Sequence, residues 1–266
     1  MTIRTGILTH SPLTHVIASV RFAPWARLPS KIAEIQDEMR DIAPLMNTIQ
    51  IEQMGPTPMS PVKSDAWMLM SSDKSYCFQF ANDQLLMFTT KYTRFNDFIG
   101  KYEKALSVLL NHMRFVDVLN MGVRYVDKIT AKPDENISNY ISKAWLPPQL
   151  SEHTSVGGTI LGEYRKEDSR LRVSAQSMPG ALPIPHDVLG LIMMTQQPHT
   201  EFKLLGTGLN ELILDMDAVA LFESPRRMEK SLVLAGLKSL HDLANDFFRH
   251  PDVLTDHAFH TWKGEA

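Results

Sequence analysis

A single cysteine, Cys77, occurs in 266 residues, which excludes an intrachain disulfide framework and any zinc or iron–sulfur site built from several cysteines. No stretch approaches the roughly 18 consecutive apolar residues of a membrane span, and the start, MTIRTGILTHSPLTHV, lacks the apolar run of a signal peptide. The expectation is a cytoplasmic protein without a membrane partner. Excess charge is also missing: 27 Lys and Arg stand against 30 Asp and Glu, a net of −3, so no global field draws the chain to nucleic acid or an anionic surface. Residues 1–130 carry 14 basic and 12 acidic side chains and the remainder 13 and 18, which leaves a patch of Arg21, Arg27 and Lys31 as the place where nucleic acid would have to bind.

Recognisable catalytic motifs are absent too. No G-x-S-x-G surrounds a serine, which disfavours a hydrolase of that type. The pairs Gly157-Gly158 and Gly206-x-Gly208 have neither a following lysine nor dinucleotide spacing, so they read as turns or bulges rather than phosphate cradles. No nucleotide, metal or other cofactor is implied.

What is present is a 44% hydrophobic, 21% charged composition, enough to bury the core of one large domain or two small ones. His15 to Phe22 alternates as a half-buried strand. Ile32, Ile35, Met39 and Ile42 recur at helical spacing up to Pro44. Residues 54–64 (MGPTPMSPVKS) read as an irregular loop, and Ala66 to Met70, Tyr76 to Phe80 and Leu85 to Thr90 read as a meander of strands separated by polar turns. Thr93 is placed to cap a second helix, whose positions Phe95, Phe98, Ile99, Tyr102, Leu106, Leu109 and Leu110 cover one face.

The same order then restarts. Val118 to Ile129 alternates as a strand, and Asp134 to Trp145 reads as a short helix. Ser155 to Arg165, Arg170 to Met178, Asp187 to Thr195 and Leu209 to Phe222 read as strands. Ser224-Pro225 supplies the N-cap and first-turn proline of a long helix with a stripe of Met228, Leu232, Ala235, Leu240, Leu243 and Phe247, ended by Pro251. This order predicts an α+β fold of two pseudo-repeated halves, 1–116 and 117–266, in one compact unit. Each half runs strand, helix, antiparallel strands, long helix, with the sheet or sheets covered by helices on one face.

Four landmarks together are similar to a family: SPLTHVIASVRF, the AWMLMSSD…FQFANDQLLMFTTKYTRFNDF block, MGVRYVDKI, and ELILDMDAVALF followed by a helix with LHDLANDFF. In these the chain resembles a sporadically distributed family of uncharacterised bacterial proteins of about this length. The family strand has an arginine and a tyrosine followed by asparagine, whereas Asp127 takes that last place here. The resemblance implies a shared fold and brings no catalytic residue with it. Its patchy distribution suggests an accessory of a mobile-element or defence system.

Asp215 and Asp217 lie two apart in a strand, so both point to one face beside Ile213 and Val219. Two carboxylates on an apolar face could bind a cation or separate in pKa as an acid–base pair; the plainer reading is an ion pair with Arg124 or Lys128 of the corresponding strand. His250, His257 and His260 crowd a tail expected to be exposed, and His241 beside Asp242 reads as solvated or capping. Cys77 reads as a half-buried apolar residue opposite the face of Tyr76, Phe78 and Phe80. Trp67, Met68, Met70, Phe78, Phe80, Met87 and Phe88 make both faces of the meander apolar, which suits core, a ligand or a subunit interface.

The leading expectation is therefore a non-catalytic binding or interaction protein whose duplicated sheet surface meets a protein partner or a second copy, with no catalytic residue. The alternative is a small-ligand or metal-binding enzyme with its pocket between the halves, using Arg124, Tyr125, Asp215 and Asp217.

Overall fold

The alternation near the start forms β1 (Leu13–Phe22), and the helical spacing after it forms α1 (Leu28–Met39), which buries Leu28, Ile35 and Met39. Then come β2 (Leu45–Gln53), β3 (Val62–Met70), β4 (Tyr76–Ala81) and β5 (Gln84–Thr89), followed by α2 (Phe95–Met113). β6 (Val116–Thr130) opens the second part of the chain. It is followed by β7 (Gly158–Lys166), β8 (Ser169–Ser177), α3 (Leu189–Thr195), β9 (Glu211–Met228), α4 (Lys230–Phe248) and α5 (Asp256–Lys263). These elements come from a computed structural model that describes residues 4–53, 62–195 and 206–264. The fold is α+β, and its strands form one antiparallel sheet in the order β2-β3-β4-β5-β1-β6-β9-β8-β7. Strands from before and after residue 116 thus meet at the centre, where β1 pairs with β6.

The pleat assigns each strand residue to a face. On one face Val16, Ala18, Val20 and Phe22 of β1, Met121, Val123 and Tyr125 of β6, and Leu212, Leu214 and Met216 of β9 join a single core with α1, α2, α4 and α5. Tyr102 of α2 is fully buried there and donates from its hydroxyl to the Leu85 carbonyl, 3.1 Å away. On the other face Ile17, Met68, Met70, Cys77 and Phe88 pack with Ile184, Val188 and Ile192. Cys77 therefore lies opposite Phe78 and Phe80, as expected from the alternation.

Several local expectations are corrected. Asp187 to Thr195 is no strand: its second part is α3, in keeping with a Leu- and Met-rich segment that has one β-branched residue between Leu189 and Met194. Because α3 lies against the second face, the helices are not confined to one side of the sheet. β2, which edges the sheet, had no counterpart in the sequence reading. Of the expected loop at 54–64, residues 54–61 lie outside the described residues and Val62 to Ser64 belong to β3. Asp134 to Trp145 makes two single 3-10 turns, Ile137–Asn139 and Lys143–Trp145. The N-cap of α2 is Arg94; Thr93 instead donates to the Asp97 carboxylate at 2.7 Å.

The strand β9 runs through Ser224-Pro225 to Met228, so these residues do not start α4. The sheet register shifts between Val118 and Asn120 opposite this stretch, and its β8 ladder ends at Ala220. A proline is tolerated at such an irregularity, where no partner needs its missing N–H. The later helix start also changes the phase of α4. Its buried residues are Val233, Leu237, Leu240, Ala244 and Phe248, while Leu232 is 58% exposed.

That phase has a direct test in urea denaturation. Leu237→Ala removes a fully buried side chain and is expected to cost about 2–5 kcal/mol. Leu232→Ala should stay within about 0.5 kcal/mol; equal losses would restore the phase read from the sequence.

Candidate functional site

Consecutive residues of β6 serve opposite faces of the sheet, and this divides the expected site in two. Arg124 and Asp217 are cross-strand partners, and Asp215 sits diagonally, opposite Val126. Arg124 grips Asp215 with two hydrogen bonds of 2.8 Å, from Nε and Nη2. It also reaches Asp187, just before α3, at 2.6 and 3.2 Å. Burial alone opposes the guanidinium charge, but the hydrogen bonds that Arg124 donates to Asp215 and Asp187 hold it above its ordinary value. Asp187 is pulled below its own, since its bonds to Arg124 outweigh burial. The plainer reading of Asp215 therefore holds, as a closed pair with Arg124. Lys128 pairs elsewhere, with Glu211 at 2.9 Å.

Asp217 does not join the pair. Burial raises its pKa against the pull of Arg124, and it lines a cavity of about 240 Å³ with Ile17, Leu86, Arg124, Asp187 and Val188.

Tyr125 faces the other way, into a larger cavity of about 600 Å³ between residues 6–13, the start of α2, β6, β9 and α4. Its hydroxyl lies 2.6 Å from His241 Nδ1 on α4. The His241 ring stacks on Phe95 with centroids 4.0 Å apart and planes 3° from parallel, and Tyr92 meets Tyr125 edge-on at 6.2 Å. Burial lowers His241 to about 4, so it is a neutral imidazole near pH 7. Burial, the Tyr92 phenol and the Asp127 carboxyl together push Tyr125 well above its ordinary value.

Asp127, two residues along the same face of β6, also lines this cavity. It is 2% exposed, and its Oδ2 has no hydrogen-bond partner. Burial first, then the Asp215 carboxylate, pushes it up to about 8. A buried polar atom without a partner costs on the order of 1–3 kcal/mol, a cost that a proton on the carboxyl, a buried water or a ligand removes. Arg94 and Arg249 line the same cavity without lowering Asp127. Arg249 is engaged elsewhere: it donates to the carbonyls of Arg4 (2.9 Å) and Gly6 (3.0 Å) and so holds the N-terminal wall in place.

Of the four residues expected to form one site, the structure thus separates Tyr125 from Arg124, Asp215 and Asp217. His241, Tyr92 and Phe95 were missed. The signal for His241 was present: it lies four after Leu237 and three before Ala244, on the stripe that α4 buries, but a stripe phased from Leu232 turns that position outward.

The remaining candidates are accounted for individually. The Cys77 thiol is buried and pushed up to about 12 by desolvation, which makes it a poor nucleophile. The segment expected as an exposed tail is the helix α5, with Ala258, Phe259 and Trp262 in the core, because its apolar residues fall at helical spacing. His257 contacts Glu135 at 3.1 Å and His250 contacts Asp252 at 3.6 Å, and among the described residues no group of three or more His, Cys, Asp or Glu is placed to hold a metal ion. Arg21 pairs with Asp83 and Lys31 with Glu34. Gly157 has φ +117°, and a Cβ there would meet the Ser177 carbonyl at 2.2 Å, so this glycine serves the backbone entering β7. No helix among the described residues is long and apolar enough to cross a membrane.

No protein family and no curated protein matches the chain by sequence. Among solved structures it is similar to a Methanococcus jannaschii TBP at 11% identity, over 90% of this chain and 98% of that one, with a TM-score of 0.29. A superposition that loose says nothing about what this chain does.

Two stability measurements follow from the site. Arg124→Ala strands the partly buried Asp215 and is expected to cost about 3 kcal/mol, whereas Asp187→Ala, whose side chain is 70% exposed, should cost less than about 1 kcal/mol. The second concerns pH. Asp127 in the folded protein keeps its proton up to about pH 8, while the unfolded chain releases it near 4. Its contribution therefore falls as pH rises through that window. His241 acts in the opposite sense between about 4 and about 6.5 in both proteins. Asp127→Asn should thus gain steadily on the wild type from pH 4 to 8 and no further above; a difference that stays constant with pH would mean that Asp127 titrates normally.

Proposed function

We propose that this protein binds a small organic molecule in the cavity between β6, α2 and α4, and that its role is binding rather than catalysis. The reading rests on one observation, the buried Asp127 carboxyl with an unpartnered oxygen in the wall of an aromatic-lined cavity. A volume of about 600 Å³ falls in the range of small-molecule sites, which combine apolar walls with a few placed polar groups. The Tyr125–His241 contact and the stack on Phe95 fix the orientation of those groups before any ligand arrives. We read the two halves, strand-helix-strands-helix each, as copies of one pattern whose first strands meet at the sheet centre. On that reading the cavity lies between the halves, with residues 6–13 and the start of α2 from the first facing β6, β9 and α4 of the second.

A second reading keeps the sheet itself as a docking surface for a protein or a second copy. It is favoured by β7, an edge strand whose Leu161 is 62% and Tyr164 45% exposed, since an unpaired apolar edge is a template for another strand.

Ligand binding is tested by NMR with a library of aromatic fragments. Bound fragments are expected to shift the imidazole resonances of His241 and to lose about tenfold or more in affinity in Ala244→Met, which extends a side chain into the cavity. Fragments that bind without moving His241, or equally well to the filled variant, would place binding elsewhere and overturn the reading.

A further inference from the structure

The cavity's charges are arranged for a particular class of occupant. Most groups that share the cavity with Asp127 are neutral or apolar, the exceptions being the guanidiniums of Arg94 and Arg249. β1 brings Leu13 opposite Asp127 in the ladder, and residues 6–11 bring Gly6, Ile7, Leu8, Thr9 and Ser11 to the cavity wall. The start of α2 brings the Tyr92 phenol and Phe95, β6 brings Tyr125, and β9 brings Met216 with the Asp215 carboxylate behind the sheet. The two α4 groups nearest in kind, His241 and Asn245, carry no charge near pH 7. Neither guanidinium is paired with the Asp127 carboxyl, and Arg249 is occupied with backbone carbonyls and the Asn245 amide.

Resting on the cavity as a ligand site, we propose that its occupant is an organic cation, an ammonium group on an aromatic or aliphatic body, held by the Asp127 carboxylate beside the rings of Tyr92, Tyr125 and Phe95. An ammonium donates the hydrogen bond that Oδ2 lacks and supplies the opposite charge that a buried carboxylate needs. Aromatic rings around it add the attraction of their negative faces for a desolvated cation.

The proton balance of Asp127 supports the same conclusion. With Asp127 pushed up to about 8, the free cavity holds a carboxylic acid at neutral pH. An arriving ammonium ionises it, and the displaced proton leaves to solvent. Affinity for a cation then rises about tenfold per pH unit up to about 8 and levels off. Affinity for a neutral ligand of the same shape has no such slope.

Calorimetric titration of the full-length protein with 2-phenylethylamine, 2-phenylethanol and phenylacetate, at pH 6 and pH 8, tests this. The amine is expected to bind about tenfold or more tighter than the alcohol at pH 8, to lose most of that advantage at pH 6, and, when buffers of different ionisation enthalpy are compared, to release close to one proton per site at pH 6 and about half a proton at pH 8. Asp127→Asn should abolish both the advantage of the amine over the alcohol and its pH slope. If that variant does not fold, the pH slope of the unmodified protein decides alone. Alcohol or phenylacetate binding as tightly as the amine at pH 8 overturns the cation class while leaving the cavity a ligand site. Silence from all three, with aromatic fragments still shifting His241, overturns it likewise; silence from the fragments as well removes the ligand site itself.

Discussion

The pairing of β6 with β9 is the constraint on which the rest depends. The ladder joins Val116 through Thr130 to Met228 through Glu211 at the middle of the sheet, and its pleat sends successive residues to opposite faces. Arg124 is thereby committed to the side where Asp215 and Asp187 wait, and Tyr125 to the side roofed by α2 and α4. A slip of one residue would exchange these roles, burying a guanidinium among Tyr92, Phe95 and His241 and exposing a tyrosine to the carboxylates. The bidentate Arg124–Asp215 contact, between adjacent strands, penalises that slip by more than hydrophobic pattern alone. Its value is thus as much in register as in stability.

The two faces treat their carboxylates differently. Asp215 has a guanidinium in contact and stays in a normal ion pair, while Asp127, two strand positions from Tyr125, has no cation and is driven toward its neutral form. Burial of this kind is expensive unless something recovers the cost, and perturbed carboxyls gather at sites with a task. Pre-formed aromatic contacts around it make the same point from the apolar side: the stack of Phe95 on His241 and the edge contact of Tyr92 with Tyr125 hold rings against an open volume rather than against each other alone.

Much of this was legible from residues alone, and the failures have physical causes. Alternation in HVIASVRF, in the meander and in MGVRYVDKI marked strands because each has one face in the main core. The edge strand β2 escaped notice because Leu45 and Met46 are more than a third exposed and no clean alternation marks it. Ser224-Pro225 imitates a helix start so well that the true strand ending was overridden, and the resulting one-residue error in phase hid His241. Asp127 was not singled out as a site residue, because a lone carboxylate in a strand carries no spacing signal, although its Oδ2 is buried without a hydrogen-bond partner. What no local pattern could reveal was convergence: Phe95, Tyr125 and His241 are brought together by a helix crossing a sheet, not by spacing in the chain.

The cavity wall is also a seam between the beginning and the end of the described chain. Residues 6–13 form one side, held by Arg249 through the carbonyls of Arg4 and Gly6, while His10 donates its backbone N–H to the Trp262 carbonyl at 2.8 Å. Contacts that span the chain so widely close late in folding, after the local meander and helices have formed. During synthesis, which proceeds from the N-terminus, β1 can pair with β5 while residues 6–13 still have neither α4 nor α5 to lie against. The cavity is therefore walled on all sides only once α4 has left the ribosome, and an early-emerging fragment, however well its meander folds, lacks one of those walls.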